Sequence, residues 1–454
     1  PADLPGRRFG YRDEDETFDQ NLGWDYENGR DVQTMTERLL DYLAYTGQNA
    51  WQYPFMRYTG YAFDMPGSRH NGLYPYSSQA FQYMVEAMGR RGVTTIADIN
   101  LFTLPEMKML PDRTDEIVKL GWTLTKIDDP PVQPNQYTRP NHAHPEVRTM
   151  IARHVAETAK RFHSTPGFAG VAMTTHNLGF YPSMDHGYDD DTVTRFSSET
   201  GMDVPAKTQE ERKAFLCDDA RIDAWQAWRI AQSAALFKTI REALDAVDPG
   251  VAFYVNVTAT PEPGEMMAAI QAVKAVDRVT VVPMRVYTEH RFRLNWGKPM
   301  NESNERLYDP TLAATFMNDG GRGFVDSYPT YFESFNGSLT NEAYASYFQN
   351  ADVKPFGRYF LKELLFAVSA MDAQRILIGA QPLGTWGRDA ETREFAQAYC
   401  ALPALPFKDA PGARDPVTVR VLNTPTGSYL YAASMLWDDC EVRLTLSGKA
   451  ALED

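Results

Sequence analysis

The chain has 454 residues, a formal net charge of −15 and a sequence pI near 5.1, and these values exclude several classes of protein. Nucleic-acid binders carry a basic surface, which this composition argues against, and no stretch of the sequence is long and apolar enough to span a bilayer. The length fits a large barrel, alone or with an accessory module. We therefore expect neither a nucleic-acid partner nor membrane insertion, and the sequence leaves the oligomeric state open.

Cysteine usage predicts no disulfide framework, because the three cysteines are far apart and odd in number. They are Cys217, Cys400 and Cys440. The chain begins at Pro1 without a charged-then-apolar leader, so we interpret it as a processed piece whose signal peptide is not visible.

The sequence contains no motif that indicates a metal or a cofactor. No HExxH motif occurs, and the eight histidines form no tight cluster with carboxylates. His142 and His144 are better explained by a loop and a helix start, and residues 189–191 by a solvated helix start than by a calcium loop. A phosphate-binding loop and a G-x-S-x-G motif are also absent from the sequence. We predict no metal and no cofactor.

The predicted elements begin with residues 1–30, which are polar and aromatic without a period and predict an extended segment lying on the main body. From residue 31 onward, helices and short β-branched runs alternate. The predicted helices are 31–45, 77–92, 145–162, 219–247, 311–318 and 355–371. The predicted strands are 49–55, 93–100, 122–127, 168–175, 251–257, 279–283, 323–326 and 375–379.

Eight strands with intervening helices predict a (β/α)8 barrel with loop insertions over residues 31–407. An open doubly wound sheet is the rival architecture, but no Gly-rich phosphate turn follows the first predicted strand. After residue 407 the period changes to two. Runs 417–421, 428–433 and 442–446 predict antiparallel strands, so residues 408–454 are expected to form part of a small β-sandwich-like module.

Function in such a barrel lies at the C-terminal ends of the strands. Asp326, which ends a predicted strand, is the first choice for a nucleophile or base, and Glu289 and Glu333 compete for the role of acid. A pair of carboxylates is the chemistry that glycoside hydrolysis needs, and flat rings and amides suit a hydroxyl-rich ligand. The candidate substrate-binding residues are Trp51, Tyr53, Arg57, Asp98, Asn100, His176, Asn177, Asp185, Arg285, Tyr287, Tyr328, Tyr331 and Trp386.

Three segments of the sequence, 187–205, 225–229 and 359–375, resemble bacterial glycoside-hydrolase-like (β/α)8 proteins related to the clan A glycoside hydrolases. The resemblance implies a barrel, a poly- or oligosaccharide substrate and export. Clan A enzymes usually place an Asn-Glu pair at the end of strand four, whereas this chain reads Thr175-His176-Asn177-Leu178. Either the acid comes from another strand, or the predicted register is wrong, or the protein binds a glycan without cleaving it.

These observations favour a glycoside hydrolase that acts on a poly- or oligosaccharide. A non-catalytic glycan-binding barrel is the alternative from another class, motivated by the missing glutamate after strand four. A polysaccharide lyase is a weaker third option. It would use Tyr287 as base beside Arg285, which would neutralise a uronate.

Overall fold

The structure is a computed structural model that describes sixteen ranges of the chain. They are residues 4–13, 32–58, 60–65, 78–101, 104–107, 114–124, 139–174, 184–258, 263–284, 294–295, 298–299, 324–327, 361–380, 388–410, 417–434 and 439–445. The predicted helix 311–318 and the first part of the predicted helix 355–371 lie outside these ranges.

Eight parallel strands form one closed barrel. They are β1 (Arg8–Asp13), β2 (Ala50–Tyr58), β3 (Thr94–Leu101), β4 (Phe168–Thr174), β5 (Ala252–Thr258), β6 (Val279–Met284), β7 (Phe324–Ser327) and β8 (Arg375–Ala380). Each strand pairs in parallel with the next, and β1 pairs with both β2 and β8. The ring is therefore complete, and the predicted (β/α)8 fold is confirmed.

The strand assignment at the start of the barrel was wrong in two places. Arg8–Asp13 is the first barrel strand, although residues 1–30 were predicted to lie on the outside of the barrel. The predicted third strand is not part of the barrel, because β3 pairs directly with β4. Within it, Thr123–Leu124 pairs in antiparallel fashion with Arg139–Pro140. The predicted boundary between residues 407 and 408 stays a prediction.

Ten helices lie within the described ranges. They are α1 (Val32–Thr46), α2 (Ser78–Arg90), α3 (Thr114–Lys119), α4 (Pro145–Phe162), α5 (Asp190–Thr200), α6 (Gln209–Leu216), α7 (Ile222–Val247), α8 (Pro263–Lys274), α9 (Lys362–Met371) and α10 (Asp389–Cys400). Among the helices of these ranges, even the longest lacks the apolar length that a membrane span requires.

The histidine and aspartate runs both lie at helix starts, as the sequence predicts, but Asp189 is partly buried rather than solvated. His144 is the N-cap of α4 and is followed by Pro145, whose missing N–H costs nothing at the first helical position. Asp189 caps α5, and its carboxylate accepts a hydrogen bond of 2.9 Å from the backbone N–H of Thr192. Burial raises the pKa of the Asp189 carboxyl.

The two faces of the strands separate two kinds of core. The inner face carries a small cluster of buried side chains from five strands: Ala50, Ile96, Ala172, Val282 and Leu377. The outer face of β2 carries rings that pack against the helices. Phe55 lies edge-on to Phe81 of α2 at 4.8 Å and to Phe162 of α4 at 4.9 Å between ring centroids. Such edge-to-face pairs stabilise the fold by more than the burial of their apolar surface alone would provide.

Gly10 allows β1 to close the ring. A Cβ atom at this position would lie 1.7 Å from the backbone carbonyl oxygen of Ala50, its register partner on β2. No side chain can occupy that space without moving a strand, because the obstacle is backbone. The close approach of β1 and β2 therefore requires glycine at this position.

The segment between β4 and β5 contains a second, aromatic core. Trp225 and Trp228 stack with ring centroids 5.4 Å apart, and Phe196 lies edge-on to both. The indole N–H of Trp228 donates to Glu199 Oε2 at 2.7 Å. These rings lie in the stretch that carries the family resemblance, and the structure assigns them to packing.

The described part of the C-terminal module is a three-stranded antiparallel sheet. Lys408–Asp409 pairs with Val417–Thr424, which forms a hairpin with Gly427–Ser434. The third predicted strand, 442–446, is wrong over residues 442–445, which form no strand. Val442 and Leu444 are instead exposed.

A buried ion pair joins this sheet to the base of the barrel. Arg7, immediately before β1, donates from Nη2 to Asp372 Oδ1 at 2.6 Å, and neither side chain is more than 1% exposed. Tyr431 of the sheet donates to the same oxygen at 2.7 Å. The Arg7 guanidinium also lies 4.9 Å from the ring centroid of Phe407 and 5.2 Å from that of Tyr431. The pair is thus hydrogen-bonded and enclosed by rings.

We predict that Arg7→Met lowers the free energy of unfolding by about 3–5 kcal/mol, because it leaves Asp372 buried without its cation. Urea denaturation followed by tryptophan fluorescence measures the loss. Arg443→Met is the matched control, since the Arg443 side chain is 92% exposed. Equal stability of the two variants would contradict a structural role for the Arg7 pair.

His142 predicts a pH dependence of stability. Its imidazole is buried between α4 and α7, with Nε2 3.0 Å from Ser233 Oγ, and burial together with Arg229 and Arg148 lowers its pKa to about 3. Below pH 6.5 the unfolded chain takes up a proton that the folded chain does not. Stability is therefore complete above pH 6.5 and is lost as the pH falls toward 3.

We expect His142 to account for about 2 kcal/mol of the stability lost between pH 7 and pH 5, at about 1.4 kcal/mol per pH unit below 6.5. In His142→Gln the fall in unfolding free energy over this range is smaller by that amount. Exposed His163 provides the control His163→Gln. An unchanged pH slope in His142→Gln would refute the assignment.

Candidate functional site

The C-terminal ends of the barrel strands bring several predicted residues onto neighbouring strands. Arg57 of β2 and Asn100 of β3 are register partners near the ends of their strands. The register of this pair shifts between Pro54 and Met56, which marks a β-bulge. Bulges re-aim the side chains that follow them and are common beside active sites.

A buried polar network lies in the barrel interior on β1, β2 and β3. Asp98 Oδ2 accepts hydrogen bonds from Arg12 Nε at 3.2 Å and from Arg12 Nη2 at 2.9 Å. The side-chain amide of Gln52 donates to the same oxygen at 3.0 Å. All three residues are no more than 1% exposed. One carboxylate oxygen thus receives three hydrogen bonds from two neighbouring strands.

Strand alternation explains why these three side chains meet. Arg12, Gln52 and Asp98 lie an even number of residues from Gly10, Ala50 and Ile96, and Ala50 and Ile96 belong to the inner cluster. Removing an arginine and a carboxylate from water is costly unless the two are paired and hydrogen-bonded. The pair therefore holds Asp98 in one fixed position in the barrel interior.

The other side of the barrel brings further polar positions into register. Asn256 of β5 is fully buried, and its register partners are Thr174 of β4 and Val282 of β6. Asp326 of β7 is in register with Met284 of β6 and with Leu377 of β8. The structure thus places the backbone of Asp326 in the closed ring, two residues after the start of β7.

A second hydrogen-bonded chain fixes the segments that leave β2 and β3. The Tyr61 hydroxyl contacts His154 Nδ1, and His154 Nε2 lies 2.8 Å from Glu106 Oε2. Tyr61 follows β2 directly, and Glu106 lies in the short 3-10 helix Pro105–Met107 after β3. Burial raises the pKa of Tyr61, so its O–H remains available to donate to a neutral imidazole. His154 of α4 therefore holds both segments.

Two of the predicted sugar-stacking rings are core residues instead. Trp51 and Tyr53 are buried and point to the outer face of β2, with their ring centroids 4.8 Å apart. Tyr53 continues this stack to Phe81 of α2 at 5.9 Å. Their odd positions in the strand direct them to the helices, away from Gln52. The expectation that they contact substrate was therefore wrong.

Asp185 lies apart from the buried network. Its side chain is 60% exposed at the start of the described segment after β4, and its Oδ1 is 3.9 Å from Lys213 Nζ. The structure connects it to α6 through this ion pair. Its predicted role in substrate binding stays a prediction.

Most of the remaining predicted residues lie outside the described ranges. They are Glu289, Glu333, His176, Asn177, Arg285, Tyr287, Tyr328, Tyr331 and Trp386. For Arg57, Asn100 and Asp326 the structure describes the backbone alone. Within the described ranges, no group of three or more His, Cys, Asp or Glu side chains is arranged to hold a metal ion.

Sequence reasoning missed Arg12 and Gln52, which hold Asp98 in place. The available signal was the alternation Arg8-Phe9-Gly10-Tyr11-Arg12, in which every second residue is aromatic. A charged residue at each end of such a run is typical of an exposed segment. In this barrel, however, the inner face accommodates Arg12 because its guanidinium donates to the Asp98 carboxylate.

The middle of the chain matches a known family. Residues 82–297 match the family model described as Glycosyl hydrolase-like 10. No curated protein matches the chain in sequence. The matched segment contains β3 to β6 of the barrel and the aromatic insertion.

Solved structures extend the similarity to most of the chain. The β-galactosidase from Rahnella sp. R3 superposes with a TM-score of 0.53 at 10% identity, covering 90% of this chain and 58% of its own. The β-galactosidase from Halorubrum lacusprofundi gives 0.51 at 12% identity, covering 86% and 58%. The catalytic domain of β-amylase from Paenibacillus polymyxa gives 0.50 at 10% identity, covering 88% and 99%.

At these identities the superpositions establish the fold. The chain spans less than two thirds of the length of either β-galactosidase, whereas it spans nearly all of the β-amylase domain. The fold expected from the resemblance is confirmed by the ring of eight strands and by these superpositions. The chain is therefore a (β/α)8 barrel, and its residues 82–297 are similar to the family described as Glycosyl hydrolase-like 10.

Proposed function

We propose that the protein hydrolyses glycosidic bonds in a poly- or oligosaccharide at the C-terminal face of the barrel. The observation that carries the proposal is Asp98, held by Arg12 and Gln52 in the interior of a glycoside-hydrolase-like barrel. Arg12 is one residue from the end of β1, and Asp98 is three residues from the end of β3. Both lie in the half of the strand that leads to the functional face.

Asp98 is proposed to position substrate rather than to donate a proton. A carboxylate that accepts three hydrogen bonds is a fixed acceptor, suited to orienting sugar hydroxyls or the residues that bind them. The reacting pair would come from the other side of the ring. Asp326 is proposed as nucleophile or base, with Glu289 or Glu333 as the acid. A separation of about 5 Å would give retention, and about 6.5–9.5 Å would give inversion.

The type of site and the similar proteins support this substrate class. Carboxylates, amides and a buried guanidinium recognise neutral, hydroxyl-rich ligands through directed hydrogen bonds. The superposed structures are named as β-galactosidases and a β-amylase, so a hexose-containing glycan is the first substrate class to assay. Export to the periplasm or beyond, in a bacterium, belongs to the same proposal.

A glycan-binding barrel without turnover is the second candidate. Strand β4 ends at Thr174, so the residues that follow it are Thr175-His176-Asn177-Leu178, as the sequence predicted. The absence of a glutamate from this stretch of the sequence supports a barrel that binds a glycan without cleaving it. This candidate predicts saturable glycan binding by the wild-type protein and no release of reducing ends.

We predict that Asp326→Asn and Glu333→Gln, made separately, each reduce kcat by about 10²–10⁴-fold, the range that a general acid or base contributes. Release of reducing ends from a panel of galactose- and glucose-containing polysaccharides measures the effect. Asp41→Asn is the control, because the Asp41 side chain lies on the outer helix α1 and is 72% exposed. Wild-type activity in both test variants would exclude these carboxylates.

A single and a double variant separate the effect of the Arg12–Asp98 pair on stability from its effect on activity. Asp98→Asn alone removes the carboxylate that Arg12 contacts in the barrel interior and should cost about 3–5 kcal/mol of unfolding free energy. The double variant Arg12→Gln/Asp98→Asn removes both charges, so we expect it to recover part of that stability. We expect glycan turnover to remain low in both variants.

Thermal denaturation and the glycan assay together test this prediction. Recovery of both stability and activity in the double variant would show that the pair is structural alone. Recovery of stability with persistent loss of activity supports a positioning role for Asp98.

A further inference from the structure

A groove with a volume of about 290 Å³ opens between helices α7 and α8. The residues that line it recur at helical spacing, so they form one face of each helix. They are Asp223, Gln226, Ala227 and Ile230 of α7, and Met267, Ala268 and Gln271 of α8. All of them belong to helices, whereas the Arg12–Asp98 pair belongs to strands in the barrel interior. The groove is therefore separate from the candidate site.

The floor of the groove is aliphatic and is supported by the core. Ile230 and Met267 are partly buried and pack against the main hydrophobic core of the molecule. Ala268 is only 2% exposed, whereas Ala227 on the facing helix is exposed. The alanine side chains end at Cβ, so they leave the space between the two helices unfilled. An apolar surface thus remains accessible at the bottom of the groove.

Three polar side chains form the rim of the groove, and they supply one carboxylate and two carboxamides. Asp223 and Gln271 are exposed, and Gln226 is half-buried. None of the three makes a side-chain hydrogen bond or an ion pair with a described residue. A carboxylate accepts hydrogen bonds, and a carboxamide both donates and accepts them. All three groups are therefore available to a ligand that lies on the aliphatic floor.

We propose that the groove between α7 and α8 is a second binding site for a neutral glycan. A sugar ring presents an apolar C–H face together with hydroxyls at its edges, which matches an apolar floor with a rim that donates and accepts hydrogen bonds. Asp223 is the single charged residue of the lining, so the chemistry favours a neutral ligand over a polycation. The inference rests on the proposed function, because the ligand is a segment of the same polysaccharide.

A second site changes which glycans the protein retains. A long chain that is bound in the barrel has a high effective concentration at the groove, so the two contacts together exceed the affinity of either one. A short oligosaccharide occupies one site at a time and gains nothing from the other. We therefore expect the groove to favour polysaccharides over short oligosaccharides.

Helix structure and solvation offer a competing explanation for the polar rim. Asp223 lies in the first turn of α7, where a carboxylate interacts favourably with the helix N-terminus. Gln226 and Gln271 would then be ordinary hydrated surface residues. If these are their only roles, closing the groove leaves the affinity for polysaccharide unchanged.

Ala227→Arg closes the groove with little effect on the helix. The long side chain lies over the aliphatic floor, and its guanidinium is four residues from Asp223, a spacing at which the two charges attract. Ala224→Arg is the matched control, because Ala224 is exposed on the same helix but does not line the groove. The double variant Gln226→Ala/Gln271→Ala removes the carboxamides without adding a charge. Thermal denaturation checks that each variant is folded.

The measurement is affinity electrophoresis of the full chain in gels that contain galactose- or glucose-based polysaccharides, with mobility taken relative to a gel without polysaccharide. We expect Ala227→Arg and the double variant to bind about three- to tenfold more weakly than the wild type, as for the loss of one or two hydrogen bonds. Ala224→Arg should bind like the wild type. Equal binding by Ala227→Arg and the wild type, or an equal loss in Ala224→Arg, would overturn the proposal.

Release of reducing ends, measured in parallel, separates this proposal from the proposed hydrolysis. Retention of the wild type that is weakened in the groove variants, without any release of reducing ends, supports the groove and contradicts hydrolysis. Release of reducing ends with equal retention of all variants supports hydrolysis and contradicts the groove. Neither retention nor release by the wild type would contradict both.

Discussion

Strand β1 pairs with β2 along one edge and with β8 along the other, and the remaining features of the barrel depend on this double pairing. Gly10 permits the close approach to β2, since any side chain there would meet the backbone of Ala50. Closure of the ring brings Arg12 opposite Asp98 in the interior. The same six-residue strand therefore completes the sheet and supplies the cation that fixes Asp98 in the candidate site.

Buried arginines organise this acidic molecule at several levels. Arg7 holds the C-terminal sheet against the base of the barrel, and Arg12 holds Asp98 inside it. Arg420 of the sheet donates to the backbone carbonyl of Val368 at 2.7 Å and so joins the sheet to α9. Each guanidinium offers several donors in a fixed plane, which lets one side chain contact more than one element. Architecture and site geometry thus depend on the same kind of contact.

The sequence predicted the barrel well where periodicity is strong, because β-branched strands buried on both faces and amphipathic helices leave clear patterns. Pro145–Phe162 was predicted with both of its ends, since proline at the first helical turn marks its start. Strand β1 was missed because its inner face is charged, and the pairing that neutralises Arg12 involves a residue far away in sequence. The run at 122–127 was misassigned because a β-branched pattern alone does not distinguish a barrel strand from a short hairpin strand.

For the site, the sequence identified Asp98 and Asp326 as acids at strand ends. It failed for Trp51 and Tyr53, which lie at odd positions of β2 and therefore face the helices. The inward set of β2 begins at Ala50, and no local signal identifies which parity faces inward when both sets contain apolar residues. That choice is made by the helices packed outside.

The pairing of β1 with both β2 and β8 also has a kinetic consequence. During synthesis β1 emerges first, yet one of its edges stays unpaired until β8 has been made, so the native ring requires contacts of high sequence separation and forms late. Until then this edge of the first strand is an open template for pairing with other chains, so its closure by β8 is the step that protects the nascent barrel from aggregation.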